Sequence, residues 1–406
     1  MSRPTTYGAP LAWIPALLCL AAGSLGAQEH VVVRAEPGTP VVAVEVMVAT
    51  GPSDEGEEQA GLAYLTARAA MAPIRPVLDS LGAHLDVEAH KDALAFTLTA
   101  APDVWQEASR TLLVALFRDP VDSVATLRER RAIQAELVGR EASPADAIVR
   151  EVDAAVFGPK HPWGRPAVGS SSTVGKLTLA DVDAFIRANL VPERTAVAIV
   201  GPVDPVEARQ PLAVFFQGVG WQRSETTPAE PLESPIRQEY NSITTWVAAS
   251  WHLPPDADLE ALRLLADLAS ERLSFGPSRR SVYNAMSEVI RRADGGELRL
   301  QLVVKPEEVE AWAGRIRESV AAYAESPMAE LVFRERLRRF RGERLRELDS
   351  PETRAQLVAQ ELLLRGRTTA GLVEVDGLTP DRLFAAAKSL GTPTFVFLGP
   401  FLDSST

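Results

Sequence analysis

The chain has 406 residues and a formal charge of −12. That length accommodates roughly two to three domains of about 150 residues, and the acidic balance excludes the basic footprint of a nucleic-acid-binding protein. Cys19 is the only cysteine, which excludes a disulfide-linked partner, a thiolate metal site and a cysteine nucleophile once the leader described next is removed.

Residues 1–27 read as an export signal. Arg3 supplies a positive start, Leu11–Ala22 is an apolar run too short to favour a membrane span, and Gly23–Ala27 offers small residues for cleavage after Ala27. Leu18 before Cys19 argues against lipidation. The expected product is exported, periplasmic or secreted.

Val31–Arg34 and Val41–Ala49 are rich in valine and flank a Glu36–Gly38 turn, so a hairpin is expected. A loop over Gly51–Glu58 leads into an amphipathic helix in Glu57–Met71, where Leu62, Leu65 and Ala69 recur at helical spacing. Strands follow at Leu81–Glu88 and Ala93–Ala100. Helices are expected over Asp103–Phe117, Asp122–Arg140 and Ala145–Phe157. Pro159–Ser172 reads as a loop, in which Ser170–Ser172 cap or turn the chain. Thr178 caps a helix from Leu179 to Asn189, and Thr195–Val200 is a strand.

Gly218–Pro235 loses apolar periodicity and reads as a linker between two domains, 28–217 and 236–406. Beyond it, strands are expected at Ile243–Trp251, Val282–Ile290, Glu297–Val304 and Phe395–Leu398. Helices are expected at Asp258–Leu273, Pro306–Ala324, Ala329–Leu348 and Glu352–Leu364. Leu177-Thr178, a helix and Gly201-Pro202 reappear as Leu378-Thr379, a helix and Gly399-Pro400. An offset of about 200 residues marks a duplicated domain, not a solenoid repeat. The fold class is α+β: two homologous domains, each a mixed or antiparallel sheet with helices on one face.

The opening helix resembles the metal-site helix of the M16 (pitrilysin, insulinase, mitochondrial-processing) peptidases, whose motif runs Gly-Leu-Ala-His-x-x-Glu-His-Met. Gly61, Leu62 and Ala63 match. Tyr64, Ala67 and Arg68 stand where the first histidine, the glutamate and the second histidine belong. His161–Pro166 is similar to that family's His-Pro-Tyr-Gly-Arg-Pro loop, and Ala198–Pro205 to its Val-Val-Gly-Asp-Val-Asp-Pro strand end. The resemblance covers nearly all of the mature chain.

A zinc peptidase needs two imidazoles one helical turn apart, a third ligand, and a carboxylate to take a proton from the metal-bound water. Glu129 and Glu136 lie seven apart on one helix face and resemble the family's two downstream glutamates. Read from the residues alone they are solvated charges beside Arg128, Arg130 and Arg131. The resemblance raises a further expectation, that Arg68 pairs with Glu136 in place of a metal. His84, Asp86, Glu88 and His90 alternate on one strand face; they are either a relocated metal site or a polar edge strand. Arg279, Arg280 and Tyr283 resemble the place where active relatives hold the peptide.

The implied protein is a non-catalytic M16-type subunit without metal or cofactor. Its expected partners are a zinc-bearing M16 peptidase, in a heterodimer, and a short or unfolded peptide. The competing classes are a scaffold protein without a peptidase partner and a metallopeptidase with a relocated metal site on the His84–His90 face.

Overall fold

The computed structural model describes residues 29–222, 229–274, 282–293, 295–366, 368 and 375–401. The export signal, the middle of the linker, Arg279 and Arg280 lie outside the described residues.

In the first half the strands are β1 (Val31–Ala35), β2 (Val42–Val48), β3 (His84–Ala89), β4 (Leu94–Ala100) and β5 (Thr195–Gly201). The helices are α1 (Leu62–Met71), α2 (Arg75–Ser80), α3 (Trp105–Phe117), α4 (Ser123–Glu141), α5 (Pro144–Phe157), α6 (Ser171–Lys176), α7 (Leu179–Asn189) and α8 (Pro205–Phe216). The second half has β6 (Ile236–Gln238), β7 (Thr245–Leu253), β8 (Val282–Arg292), β9 (Gly295–Val304) and β10 (Thr394–Leu398). Its helices are α9 (Leu259–Ser274), α10 (Val309–Ala321), α11 (Glu330–Glu347), α12 (Pro351–Arg365) and α13 (Pro380–Ser389).

The duplication is visible in topology. The sheets run β1-β5-β2-β4-β3 and β6-β10-β7-β9-β8. Each has one parallel pair at an edge, β1 with β5 and β6 with β10, and antiparallel pairs elsewhere. Thr178 and Thr379 cap the equivalent helices α7 and α13.

The expected hairpin is corrected. The Glu36–Gly38 turn forms, with Thr39 N donating to Glu36 O at 3.1 Å, but β1 and β2 flank β5 and do not pair with each other. Every residue of β5 is buried. A strand buried on both faces needs a partner along each edge to satisfy its backbone. The turn after β1 steps over the end of β5, and Glu36 N donates to Gly201 O at 2.7 Å. The sequence reading also passed over α2, α6, α8 and β6, which are short or irregularly patterned.

Each half packs most of its helices on one face of its sheet, as the α+β reading expects, and the opposite face is covered from the other half. On β2, Val42, Val44, Val46 and Val48 enter a core shared with α1 and α3. Ala43 and Met47 point the other way and meet Ala355, Val358, Ala359 and Leu362 of α12, a helix from the second half. The second sheet is covered reciprocally: Ala248, Val396 and Leu398 pack against Ile148, Val152 and Val156 of α5, a helix from the first half. Each half lends one helix to the other's sheet. Burying an aliphatic side chain such as Leu362 stabilises by about 1.5–3 kcal/mol, so the exchange is a substantial part of the packing. Among the described residues no helix is long and apolar enough to cross a membrane.

Candidate functional site

The start of α1 is fixed from several sides. Glu55 accepts from the backbone N–H of Gly61 at 3.1 Å and of Ala63 at 2.8 Å, capping donors that the helix leaves unpaired. Burial pushes the Glu55 carboxyl up to about 7, against the pull of these two hydrogen bonds. Gly61 has a φ of 93° and packs against Gly169, whose φ is 74°. A Cβ on Gly169 would come within 2.3 Å of Ala60 O. Arg165 donates to the carbonyls of Pro52 and Gly56, each at 3.0 Å, and Thr173 Oγ1 donates to Ala60 O at 2.8 Å. The motif residues that match the M16 pattern therefore build the frame that aims α1.

On the half-buried side of α1 stand Tyr64 and Arg68, facing α4. Arg68 Nη2 lies 2.7 Å from Glu129 Oε2, and Arg68 Nε donates to the same oxygen at 2.9 Å. Nη1 donates to Tyr64 Oη at 3.0 Å and reaches Glu136 Oε2 at 3.3 Å. The guanidinium carbon also sits 5.6 Å from the Tyr64 ring centroid. Burial opposes the Arg68 charge, but Tyr64 and the two carboxylates outweigh it and raise the guanidinium pKa above its ordinary value.

The structure brings Tyr64, Arg68, Glu129 and Glu136 together, and Arg68 spans both glutamates. The reading of both carboxylates as solvated is corrected for Glu129, whose side chain is only 9 % exposed; Glu136 remains 50 % exposed. Glu129 is buried because α4 packs directly on α1, and only a paired carboxylate is tolerated there.

Zinc does not fit these residues. A fixed cation occupies the space between the two acidic side chains, a phenol and a guanidinium replace the two imidazoles, and Ala67 is fully buried in the core. A methyl group there can take no proton. The His84–His90 face does not assemble a substitute site. His84 pairs with Asp86 at 3.1 Å and His90 with Glu88 at 3.6 Å, along an exposed edge strand. Among the described residues no group of three or more His, Cys, Asp or Glu is arranged to hold a metal ion.

Tyr283 lies at the start of β8, an edge strand, where the register slips between Val282 and Asn284. It is 61 % exposed, so it is not a packing residue. Ser170 caps α6, as the loop reading expects.

Sequence reasoning missed a buried ionic cluster joining the halves. Lys91 Nζ lies 2.8 Å from Asp153 Oδ2, and Arg299 Nη2 is 2.8 Å from Asp153 Oδ1. Arg299 and Arg292 both reach Glu297, at 2.7 and 2.9 Å, and Ser250 Oγ donates to Glu297 at 2.8 Å. The two arginines outweigh the desolvation of Glu297 and hold its carboxyl below the usual range. The available signal was alternation along β9, where Glu297, Arg299 and Gln301 interleave with leucines. Such a face normally meets water; here it is buried.

No family model matches the chain. An uncharacterized zinc protease of Mycobacterium tuberculosis is 30 % identical over 190 residues, 43 % of this chain and 42 % of that relative. A similarly named protein of Mycobacterium leprae is 30 % identical over 191 residues. The match thus spans under half the length of these curated relatives. In structure, the chain is similar to an M16 peptidase inactive domain from Pseudomonas fluorescens, with a TM-score of 0.77 at 16 % identity, covering 93 % of this chain and 97 % of that one. The fold is M16-like. The M16-like fold also matches a protease from Helicobacter pylori, with a TM-score of 0.76 at 17 % identity over 91 % of this chain and 97 % of that one. A chain of Complex III2 from Candida albicans gives a TM-score of 0.76 at 14 % identity over 91 % and 93 %.

Proposed function

We propose that this M16-like chain is a non-catalytic subunit that works beside a zinc-bearing M16 peptidase, helping to shape the chamber and to hold short or unfolded peptides. The observation that carries the reading is Arg68 bonded to both Glu129 and Glu136, which sets a cation where the M16 resemblance sets zinc. The similarity to a protein named as an inactive M16 domain supports it. The edge strands β3 and β8 offer unpaired backbone to an extended peptide. In this reading 28–217 and 236–406 are the two domains, and the chain is exported after removal of residues 1–27.

The test has two arms. The purified chain, mixed with zinc and a casein-type peptide, is expected to bind no stoichiometric metal and to cleave nothing. Pull-down from native extract is expected to recover a second M16 chain with both histidines in its opening helix. Chelator-sensitive cleavage by this chain alone would overturn the reading. A second reading, a scaffold subunit with no peptidase partner, is supported by the similarity to a chain of Complex III2 from Candida albicans. Recovery of a homodimer that binds no peptide would select it.

A further inference from the structure

Beside α4 and α5 lies an open cavity of about 510 Å³. Its walls are built by helical spacing: Leu137, Arg140 and Glu141 from α4, and Asp146, Val149, Arg150 and Asp153 from α5. Ala89, the last residue of edge strand β3, and Val168 close it. Arg140 lies four residues beyond Glu136, so the cavity opens one turn along α4 from the Arg68 cluster.

The charges in the wall are mostly committed. Arg140 pairs with Asp146 at 3.1 Å, and Lys91 with Asp153 at 2.8 Å. Glu141 accepts from Ser171 N at 2.6 Å and Ser171 Oγ at 2.8 Å. Arg150 is half-buried and forms no hydrogen bond or ion pair among the described residues. A guanidinium with five donors beside an apolar wall of Leu137, Val149 and Val168 calls for a planar anion attached to a hydrophobic group.

We propose that this cavity is a carboxylate-binding pocket, with Arg150 as the anion partner and the apolar wall receiving the group next to the carboxylate. The C-terminus of a short peptide and a free organic acid share that chemistry. The position of the pocket at the end of β3 favours the peptide. To that extent the proposal rests on the peptide-binding part of the proposed function, though not on the existence of a partner.

Calorimetric titration of the isolated chain tests it with three probes: a pentapeptide ending in leucine as free acid, the same peptide as C-terminal amide, and octanoate. The free acid is expected to bind roughly tenfold or more tightly than the amide, in line with one charge-assisted bidentate contact. Arg150→Gln is expected to abolish that difference without changing the thermal midpoint. A second variant, Val149→Trp, fills the cavity and is expected to weaken the acid while leaving Arg150 in place. Octanoate binding that Arg150→Gln removes, with no peptide binding, keeps the pocket and removes the peptide reading. Peptide binding that is equal for acid and amide overturns the pocket and leaves the peptide reading standing.

Discussion

Nε and Nη2 of Arg68 converge on a single oxygen of Glu129, at 2.9 and 2.7 Å. Removing the guanidinium strands a buried carboxylate. Arg68→Ala is expected to destabilise the chain by about 2–4 kcal/mol, most of it the cost of the unpaired Glu129. Arg68→Ala with Glu129→Gln is expected to recover a large part of that loss. Urea unfolding of the single and double variants measures both; equal losses would show that Glu129 is not the stranded group.

Glu45 gives the chain a pH dependence. It lies on β2 among Ala43, Met47 and the α12 helix, is fully buried, and receives one bond from Thr97 Oγ1 at 2.7 Å while its Oε1 has no partner. Burial pushes its carboxyl up to about 8 from 4.5. Because the folded value is raised, the stability it contributes is complete below pH 4.5 and is lost as pH rises to about 8. Glu45→Gln keeps the shape of the neutral acid. It is expected to match the parent chain at pH 4.5 and to exceed it by about 2–4 kcal/mol at pH 9. Denaturant midpoints across that range are the measurement. Glu55, also raised by burial, adds a fall of the same sign in both proteins.

Gly169 and Gly82 separate strain from crowding. Both have positive φ, 74° and 65°, but a Cβ on Gly82 meets nothing within 4 Å while one on Gly169 meets Ala60 O at 2.3 Å. Gly82→Ala is expected to cost about 1 kcal/mol, the backbone penalty alone. Gly169→Ala is expected to cost more than about 3 kcal/mol, because backbone must move. Thermal melts of the two variants compare them directly.

Asp153 anchors the contact between halves. It pairs with Lys91 of its own half and Arg299 of the other. Asp153→Ala leaves two buried cations and is expected to destabilise by about 3–5 kcal/mol. A cycle with Arg299→Met is expected to show coupling of about 1–3 kcal/mol, read from unfolding curves. Additive losses would place the cost elsewhere.

How far these features could be read in the sequence depended on range. Helices with strong caps were legible nearly to the residue: Asp122, Ser143, Thr178 and Ser350 each hold the first turn of a helix. The altered positions Tyr64, Ala67 and Arg68 were legible because Gly61-Leu62-Ala63 framed them. Strand partners were not, since β1 and β2 follow one another in sequence while β5, about 150 residues on, slots between them. Glu129 was misjudged because three neighbouring arginines imply a wet helix face, whereas its actual partner comes from α1. The burial of the polar face of β9 was not legible for the same reason: Asp153, which pairs with Arg299, comes from α5 of the other half.

The loan of α12 to the first sheet has a consequence for synthesis. The face of β2 and β5 that bears Ala43, Met47 and Ala198 is roofed by residues 355–363. While the ribosome is still making the second half, that surface is bare and sticky, because domains fold as they emerge. The first sheet must therefore wait, partly open, for most of the chain to be translated, and a chaperone holding nascent polypeptide would have its longest engagement there.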